Sequence, residues 1–230
     1  MKFATFITGP TPAQRKEFQR WFVQDIVSQL RSSAPTLRGS VYREVRDSPG
    51  TFFDSRNATR EPNFGQCDIL LETWFSAAED FRRELLPLHA KFAEKSAHYA
   101  SYHVTPRLQL DPRIAEAGVQ GGRPEITAVC SIQWKRGMSR EEASARYNRH
   151  AAIALRWQAA ITKYEQDIVE EVIAWSGDIV PIDAFADFSF RTVSDCQMGL
   201  KASREEMQDT GGYVRAGHFI YLGDAQPIRL

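Results

Sequence analysis

Residues 68–75 read DILLETWF, and the same order of side chains returns at residues 183–190 as DAFADFSF. Each stretch sets an acid, three residues, a second acid, two residues and an aromatic: Asp68, Glu72 and Phe75 in one, Asp183, Asp187 and Phe190 in the other. Both are short, apolar between the acids and bounded by loop residues, which is how a largely buried strand reads. A strand met twice in one chain raises the question of what surrounds each copy.

Around the first copy the spacing predicts strand, helix, strand, strand, helix, strand. Residues 2–8 form a strand. Residues 12–32 form a helix, with Thr11 as cap, Pro12 in the first turn, and Phe18, Trp21, Phe22, Ile26 and Leu30 at helical spacing. Residues 37–46 alternate as a strand and 48–66 read as a loop. Residues 67–75 are the strand already quoted. Residues 77–94 form a helix that Pro87 should divide, and 97–104 form the closing strand. Around the second copy the order repeats: a strand at 125–135, a helix at 139–157 opened by the capping box Ser139-x-x-Glu142, strands at 162–173 and 184–191, a helix near 195–208 and a strand at 216–222. Between the two sets, residues 107–124 carry Pro112, Pro124 and Gly121-Gly122 and read as a linker.

The expected fold class is therefore α+β, with two tandem ferredoxin-like βαββαβ halves, 1–106 and 125–230, joined by the linker at 107–124. A sheet covered by helices on one face leaves the other face bare. Two such sheets in one chain can bury their bare faces together, giving a barrel-like internal pair with helices outside. A further homodimer is compatible with that arrangement.

Composition narrows the function classes. Formal net charge is zero, so neither nucleic acid nor an anionic membrane is favoured as a bulk partner. No apolar run is long enough to span a membrane, and the start of the chain reads as a strand rather than a leader. Cys67, Cys130 and Cys196 are scattered without CxxC spacing, which suits reduced structural thiols and a cytoplasmic setting. The five histidines, at 89, 98, 103, 150 and 218, show no HxH or HxxxH pair, and no GxGxxG, Walker or GxSxG motif occurs. No metal or cofactor is called for by these patterns.

The run Lys135-Arg-Gly-Met-Ser139-Arg-Glu-Glu, continuing through Tyr147-Asn-Arg-His150-Ala-Ala-Ile-Ala to Ile161-Thr-Lys-Tyr164, resembles the EthD-like group of the dimeric α+β barrel superfamily. The likeness covers residues 127–222, and Asp183 to Phe190 resembles a later acidic-aromatic pattern of the group. Ala152 stands where a Pro is common and Ala184 where a Gly is common. The first half is a more divergent copy, in which Phe18-Gln-Arg-Trp21-Phe22 echoes the helix and Asp25 and Ile26 fall where its His would be. The resemblance implies a barrel and a range of chemistries: cyclases, dehydratases, lyases, cofactor-free monooxygenases and some haem proteins.

His150 is the leading chemical candidate, because imidazole titrates near working pH and its helix face is otherwise apolar. A satisfied core histidine is the plain alternative. Tyr147 and Asp187 are its candidate catalytic partners, Asp187 as the carboxylate that orients the ring. Tyr164, Trp157, His218 and Phe185 are candidate substrate-binding residues for a small apolar or aromatic ligand. Asp183 shares a strand face with Asp187, and Glu72, Arg43, His98 and His103 are further polar candidates in the first half. Three functions stay open: a cofactor-independent lyase, cyclase, dehydratase or isomerase using His150 as acid or base; a monooxygenase or haem protein; and a non-catalytic ligand-binding protein.

Overall fold

The computed structural model describes residues 1–50, 65–110, 126–158, 160–177, 179–192, 194–196 and 204–229. Most of the 48–66 loop and of the 107–124 linker lies outside the described residues. Among the described residues there are nine strands: β1 (Lys2–Thr8), β2 (Gly39–Gly50), β3 (Ile69–Trp74), β4 (His98–Leu110), β5 (Ile126–Trp134), β6 (Ile161–Ser176), β7 (Ala184–Phe190), β8 (Val214–Leu222) and β9 (Gln226–Arg229). They pair antiparallel in the order β3-β1-β4-β6-β7-β5-β8-β2, and β2 also pairs with β3, so eight strands close into a barrel. Short β9 lies beside β2 at Ser40–Tyr42.

The strands of residues 1–110 pair as β4-β1-β3-β2, and those of residues 126–222 as β6-β7-β5-β8. Two seams join these sets. At one, β4 runs against β6 from Tyr99↔Ser176 to Leu110↔Tyr164. At the other, β2 meets β8 at Val45↔Leu222. Closure removes every open edge from the eight strands. It also explains why β4 continues past Pro106 through residues 107–110, which the sequence assigns to the linker: the seam with β6 keeps the strand going.

The helices lie outside the barrel. In the first half they are α1 (Arg15–Trp21), a π-turn (Phe22–Val27), α2 (Ser28–Ser33), α3 (Ala78–Glu84) and α4 (His89–Lys95). Pro87 does divide the second of these helical stretches, through a 3-10 turn at Leu86–Leu88. In the second half α5 (Arg140–Trp157) starts at Ser139, whose side chain accepts from the Glu142 amide at 3.1 Å. Gly137 makes the preceding turn with φ +80°, a left-handed conformation that glycine adopts without strain. The last helix, α6, is Arg204–Tyr213 and runs past the end of the helix expected near 195–208; residues 194–196 are also helical, and 197–203 lie outside the described residues.

Alternation along the strands yields two kinds of core. Outward-facing residues meet the helices, with Phe3, Ile7, Phe22, Ile69, Leu71 and Phe81 in the first half and Ala128, Cys130, Tyr147, Tyr164, Ala186 and Phe188 in the second. Inward-facing residues of both halves fill the barrel: Ala4, Phe6, Leu70, Tyr102, Val129, Phe185 and Ile220 form one cluster. The repeated acids mark equivalent places. Asp68 accepts from the Gly9 amide at 2.7 Å and Asp183 from the Trp134 amide at 2.8 Å, so each holds the end of its half's first strand.

One end of the barrel interior is ionic. Lys2 lies 2.8 Å from Glu72, 2.6 Å from Glu165 and 2.8 Å from Asp167. Arg43 lies 2.8 Å from Asp187 and 3.4 Å from Glu72, and Lys163 lies 3.1 Å from Asp187. The pairs of Lys2 with Glu165 and Asp167, and of Arg43 with Asp187, cross between the halves. Burial raises the Asp167 carboxyl to about 7, since Lys2 offsets only part of the cost and Glu165 and Glu72 add repulsion. The Asp187 carboxyl goes the other way: Arg43 and Lys163 outweigh its burial and hold it well below the usual carboxylate range.

Candidate active site

His150 lies on the cavity-facing side of α5, mostly buried, and its Nδ1 sits 2.8 Å from Asp209 Oδ2 on α6. A carboxylate on one ring nitrogen fixes the imidazole's orientation and leaves the other nitrogen for chemistry. The ring borders a cavity of about 50 Å3 between the outer face of the sheet and the two helices. Tyr147, Tyr164, Tyr213, Phe188 and Phe219 make its aromatic wall, with Cys130, Ile132, Ala186 and Val214 beside them. Gln158, Glu206 and Thr210 complete the polar side.

The space exists because α5 is built of small residues here. Ala143, Ala151 and Ala154 are its buried contacts apart from Ser144 and Tyr147. Burial raises all three tyrosine hydroxyls above their ordinary range, so they stay neutral phenols that can donate. Tyr164 Oη accepts from Gln166 Nε2 at 2.9 Å, which leaves its own hydrogen to give. Tyr147 Oη is buried with no hydrogen-bond partner among the described residues, and so is Gln158 Oε1. Buried polar atoms rarely lack partners, and two in one cavity wall suit a ligand or water between them. The thiol of Cys130 is pushed up by burial and is no nucleophile at neutral pH.

The structure brings together three of the sequence candidates, His150, Tyr147 and Tyr164, and separates the others. Asp187 does not orient His150. It points into the barrel, on the opposite face of the sheet, where Arg43 and Lys163 neutralise it. Asp209 has the orienting place. Phe185 also points into the barrel, with its ring 5.4 Å from Phe6. His218 lies on the same inner face, opposite Ser131 across the β5–β8 ladder, and burial lowers its pKa. Trp157 is on the surface, 53% exposed, with its indole nitrogen 2.7 Å from Glu205. In the first half Glu72 and Arg43 belong to the ionic end of the barrel, His98 is buried on the inner face, and His103 packs on Phe3 at 5.2 Å. Sequence reading missed Asp209 and Glu206. Their signal was the spacing Glu206, Asp209, Thr210, Tyr213, which places all four on one helix face.

Two cofactor questions can be put to these residues. Carboxylate oxygens of Glu72, Glu165 and Asp167 lie within 4.8 Å of one another, as in a metal site, but the Lys2 ammonium already bonds all three. For haem, His150 could offer an axial nitrogen. A macrocycle needs a slot in the drug-sized range, on the order of 300–1,000 Å3. The cavity of about 50 Å3 bounded by the described residues does not fit it as it stands, and a macrocycle would need a wider opening than any three-ring ligand.

No family model matches the chain, and no curated protein matches it in sequence. Solved structures do match it in fold. An anthrone oxidase-like protein superposes with a TM-score of 0.59 at 9% identity, covering 100% of this chain and 93% of its own. A provisionally named monooxygenase from Fusobacterium nucleatum gives 0.53 at 6%, covering 98% and 92%. Chlorite dismutase from Candidatus Nitrospira defluvii, in complex with imidazole, gives 0.52 at 12%, covering 99% and 92%. The shared architecture is the dimeric α+β barrel. At these identities the likeness shows the fold and leaves the reaction to be argued from the site. No helix among the described residues is long and apolar enough to cross a membrane.

Proposed function

We propose that this protein is a cofactor-independent enzyme in which the Asp209–His150 pair takes a proton from a carbon acid held between the sheet and α5 and α6. The observation that carries the reading is that pair, at 2.8 Å, facing a cavity that also contains an unpartnered buried phenol. The proton comes from a carbon next to a carbonyl or on an aromatic ketone. Tyr147 and Tyr164 donate to the oxygen on which negative charge develops, and being neutral and buried they cost little reorganisation there. We further read the chain as two tandem ferredoxin-like halves of EthD-like kinship, with the chemistry confined to the second.

Two outcomes share that first step. Reprotonation at a new position, or loss of a leaving group, gives isomerase, cyclase, dehydratase or lyase chemistry. Reaction of the carbanion with dioxygen gives an oxidase or monooxygenase; for an anthrone, the methylene and O2 become a carbonyl and water. The second outcome gains support from the named functions of the anthrone oxidase-like and monooxygenase neighbours. Anthrone is accordingly the first probe; its three rings exceed the cavity of about 50 Å3, so α5 and α6 must part from the sheet on binding. Wild-type protein should consume it in air, and folded His150→Gln should lose about 100-fold or more of the rate, the usual worth of a positioned base. Consumption in air but not under nitrogen selects the oxygen-using outcome. Equal rates for wild type and His150→Gln would show that His150 is a structural histidine. Binding of anthrone with no product from either protein would favour the ligand-binding reading.

A further inference from the structure

Gln166 has no part in the proton transfer just described, yet it is fully buried on β6, two residues from Tyr164 on the same strand face. A buried amide is costly to leave short of hydrogen bonds, and this one uses both its ends. Its Nε2 donates to the Tyr147 carbonyl oxygen at 2.8 Å and to Tyr164 Oη at 2.9 Å. Its Oε1 accepts from Gln109 Nε2 at 3.0 Å. Gln109 Nε2 also donates to Asn148 Oδ1 on α5, at 3.0 Å. Gln109 belongs to the part of β4 beyond Pro106, so a strand of the first half reaches into the layer that holds the cavity.

These partners fix the direction of every bond around the amide. A carbonyl can only accept, so the NH2 end of Gln166 faces Tyr147. The same NH2 group meets Tyr164 Oη, and Oε1 is turned to the Gln109 donor. Tyr164 Oη therefore accepts, and its own hydrogen is left for the cavity. The bond also strengthens the phenol as a donor: burial pushes the Tyr164 hydroxyl up, and the Gln166 N–H draws it part of the way back. The filled layer of the first half shows the contrast. Val41 pairs with Glu72 as Glu165 pairs with Asp187, which sets Tyr42 in the place of Gln166. Tyr42 packs on Phe22, ring to ring at 5.5 Å. A ring that fills space stands where the second half has an amide that directs hydrogen bonds.

We infer that Gln166 is a positioning residue that holds the Tyr164 hydroxyl in the donor direction, toward the carbonyl oxygen of the substrate. This rests on the helix-side cavity being the substrate site, with Tyr164 at the substrate oxygen.

The test uses acetophenone, a one-ring ketone with less bulk than anthrone. Isotope-edited infrared spectroscopy reads its carbonyl band and ligand-observed NMR its affinity. Bound to the wild-type protein, the band should lie below its position in hexane. Tyr164→Phe should raise it and weaken binding about threefold to tenfold, the net worth of one hydrogen bond. Gln166→Glu keeps the shape but offers Tyr164 an acceptor in place of a donor, so the hydroxyl turns to it and the ketone loses that partner. It should raise the band as far as Tyr164→Phe does, and add nothing in the Tyr164→Phe background. Gln166→Met removes the donor without taking the hydrogen, and should raise the band part of the way, again only with Tyr164 present. A merely structural amide would lower stability in these variants without moving the band. A band unmoved by Gln166→Glu, a shift that persists in the Tyr164→Phe background, or no saturable binding of acetophenone would overturn the inference. Should Gln166→Glu fail to fold, Gln166→Met decides by the same criteria. A band unmoved by Tyr164→Phe itself would remove both the oxyanion role of Tyr164 and the inference. His150→Gln separates the positioning role from the base: it should leave the band at its wild-type position while turnover is lost. Retained turnover there would sink the base and leave the positioning role standing.

Discussion

The two helix–sheet layers of this barrel are built on one strand order and filled in opposite ways. In the first half the helices drive Phe18, Phe22, Ile26, Val27 and Leu30 onto the sheet, where Phe3, Ile69, Leu71 and Phe81 close the space. A histidine is present there too. His89 is buried among Phe92, Tyr99 and Phe81, and its Nε2 lies 3.1 Å from Ser101 Oγ. Burial lowers its pKa to about 4, so it stays neutral at ordinary pH. In the second half α5 presents alanines, the sheet presents Ala186 and Tyr164, and His150, held by the Asp209 carboxylate at 2.8 Å, borders a cavity. Large apolar residues turn a layer into a core. Small residues and phenols leave a hole in it, with titratable groups at the rim.

The ionic end of the barrel ties these unequal layers together, and breaking it should have as large an effect on stability as any single change. Arg43→Met leaves Glu72 and Asp187 without their shared guanidinium. It should cost about 3–5 kcal/mol in urea unfolding, the usual penalty for removing one partner from a buried ion pair, with Lys2 and Lys163 left as the remaining partners of the two carboxylates. A cost under 1 kcal/mol would mean that the halves do not depend on this contact.

Changes to the filled layer are of comparable size. Phe22→Ala removes a fully buried ring and should cost about 3–5 kcal/mol while leaving ligand binding intact. The reciprocal change, Ala186→Leu, puts bulk into the cavity wall. It should abolish probe binding at an overpacking cost of about 1–3 kcal/mol. If Phe22→Ala impaired binding as much as Ala186→Leu does, the division of labour between the layers would be wrong.

His89 gives a subtler contrast. Its folded pKa of about 4 lies below the ordinary value of 6.5, so the unfolded chain binds the extra proton. Its contribution to stability is complete above pH 6.5 and is lost as pH falls through 4, up to about 3 kcal/mol in all. Asp167 runs against it: its raised pKa, about 7, gives a contribution present at low pH and lost as pH rises through that value. His89→Gln should therefore flatten the acid side of the stability–pH curve relative to wild type, as read from urea midpoints between pH 4 and 7. The smallest expected effect is at the α5 cap, where Ser139→Ala should cost about 1 kcal/mol.

Much of the architecture was legible because it rests on local rules. The doubled strand located two equivalent positions, and Asp68 and Asp183 do perform the same hydrogen bond to the end of a first strand. Glu72 and Asp187 also meet at one guanidinium, Arg43. The α5 helix, its cap and the break at Pro87 follow from side-chain spacing and backbone chemistry. What spacing withholds is which face of a strand looks where. Alternation placed Asp187, Asp183 and Phe185 on one face, but only closure of the barrel shows that Phe185 and Asp187 face inward, away from His150. The orienting carboxylate was missed for a related reason. Asp209 follows the residues from which a helix at 195–208 was drawn, and Gly211-Gly212 blurs where that helix stops. A pair of residues 59 positions apart on two helices leaves no local trace.

The most direct measurement of the central claim is exchange of the anthrone methylene hydrogens for solvent deuterium, followed by NMR under nitrogen. It reads proton abstraction alone, whatever happens to the carbanion afterwards. Wild-type protein should accelerate the exchange, Asp209→Asn should slow it and His150→Gln should reduce it by about 100-fold or more. Exchange at the wild-type rate in a folded His150→Gln protein would contradict the account.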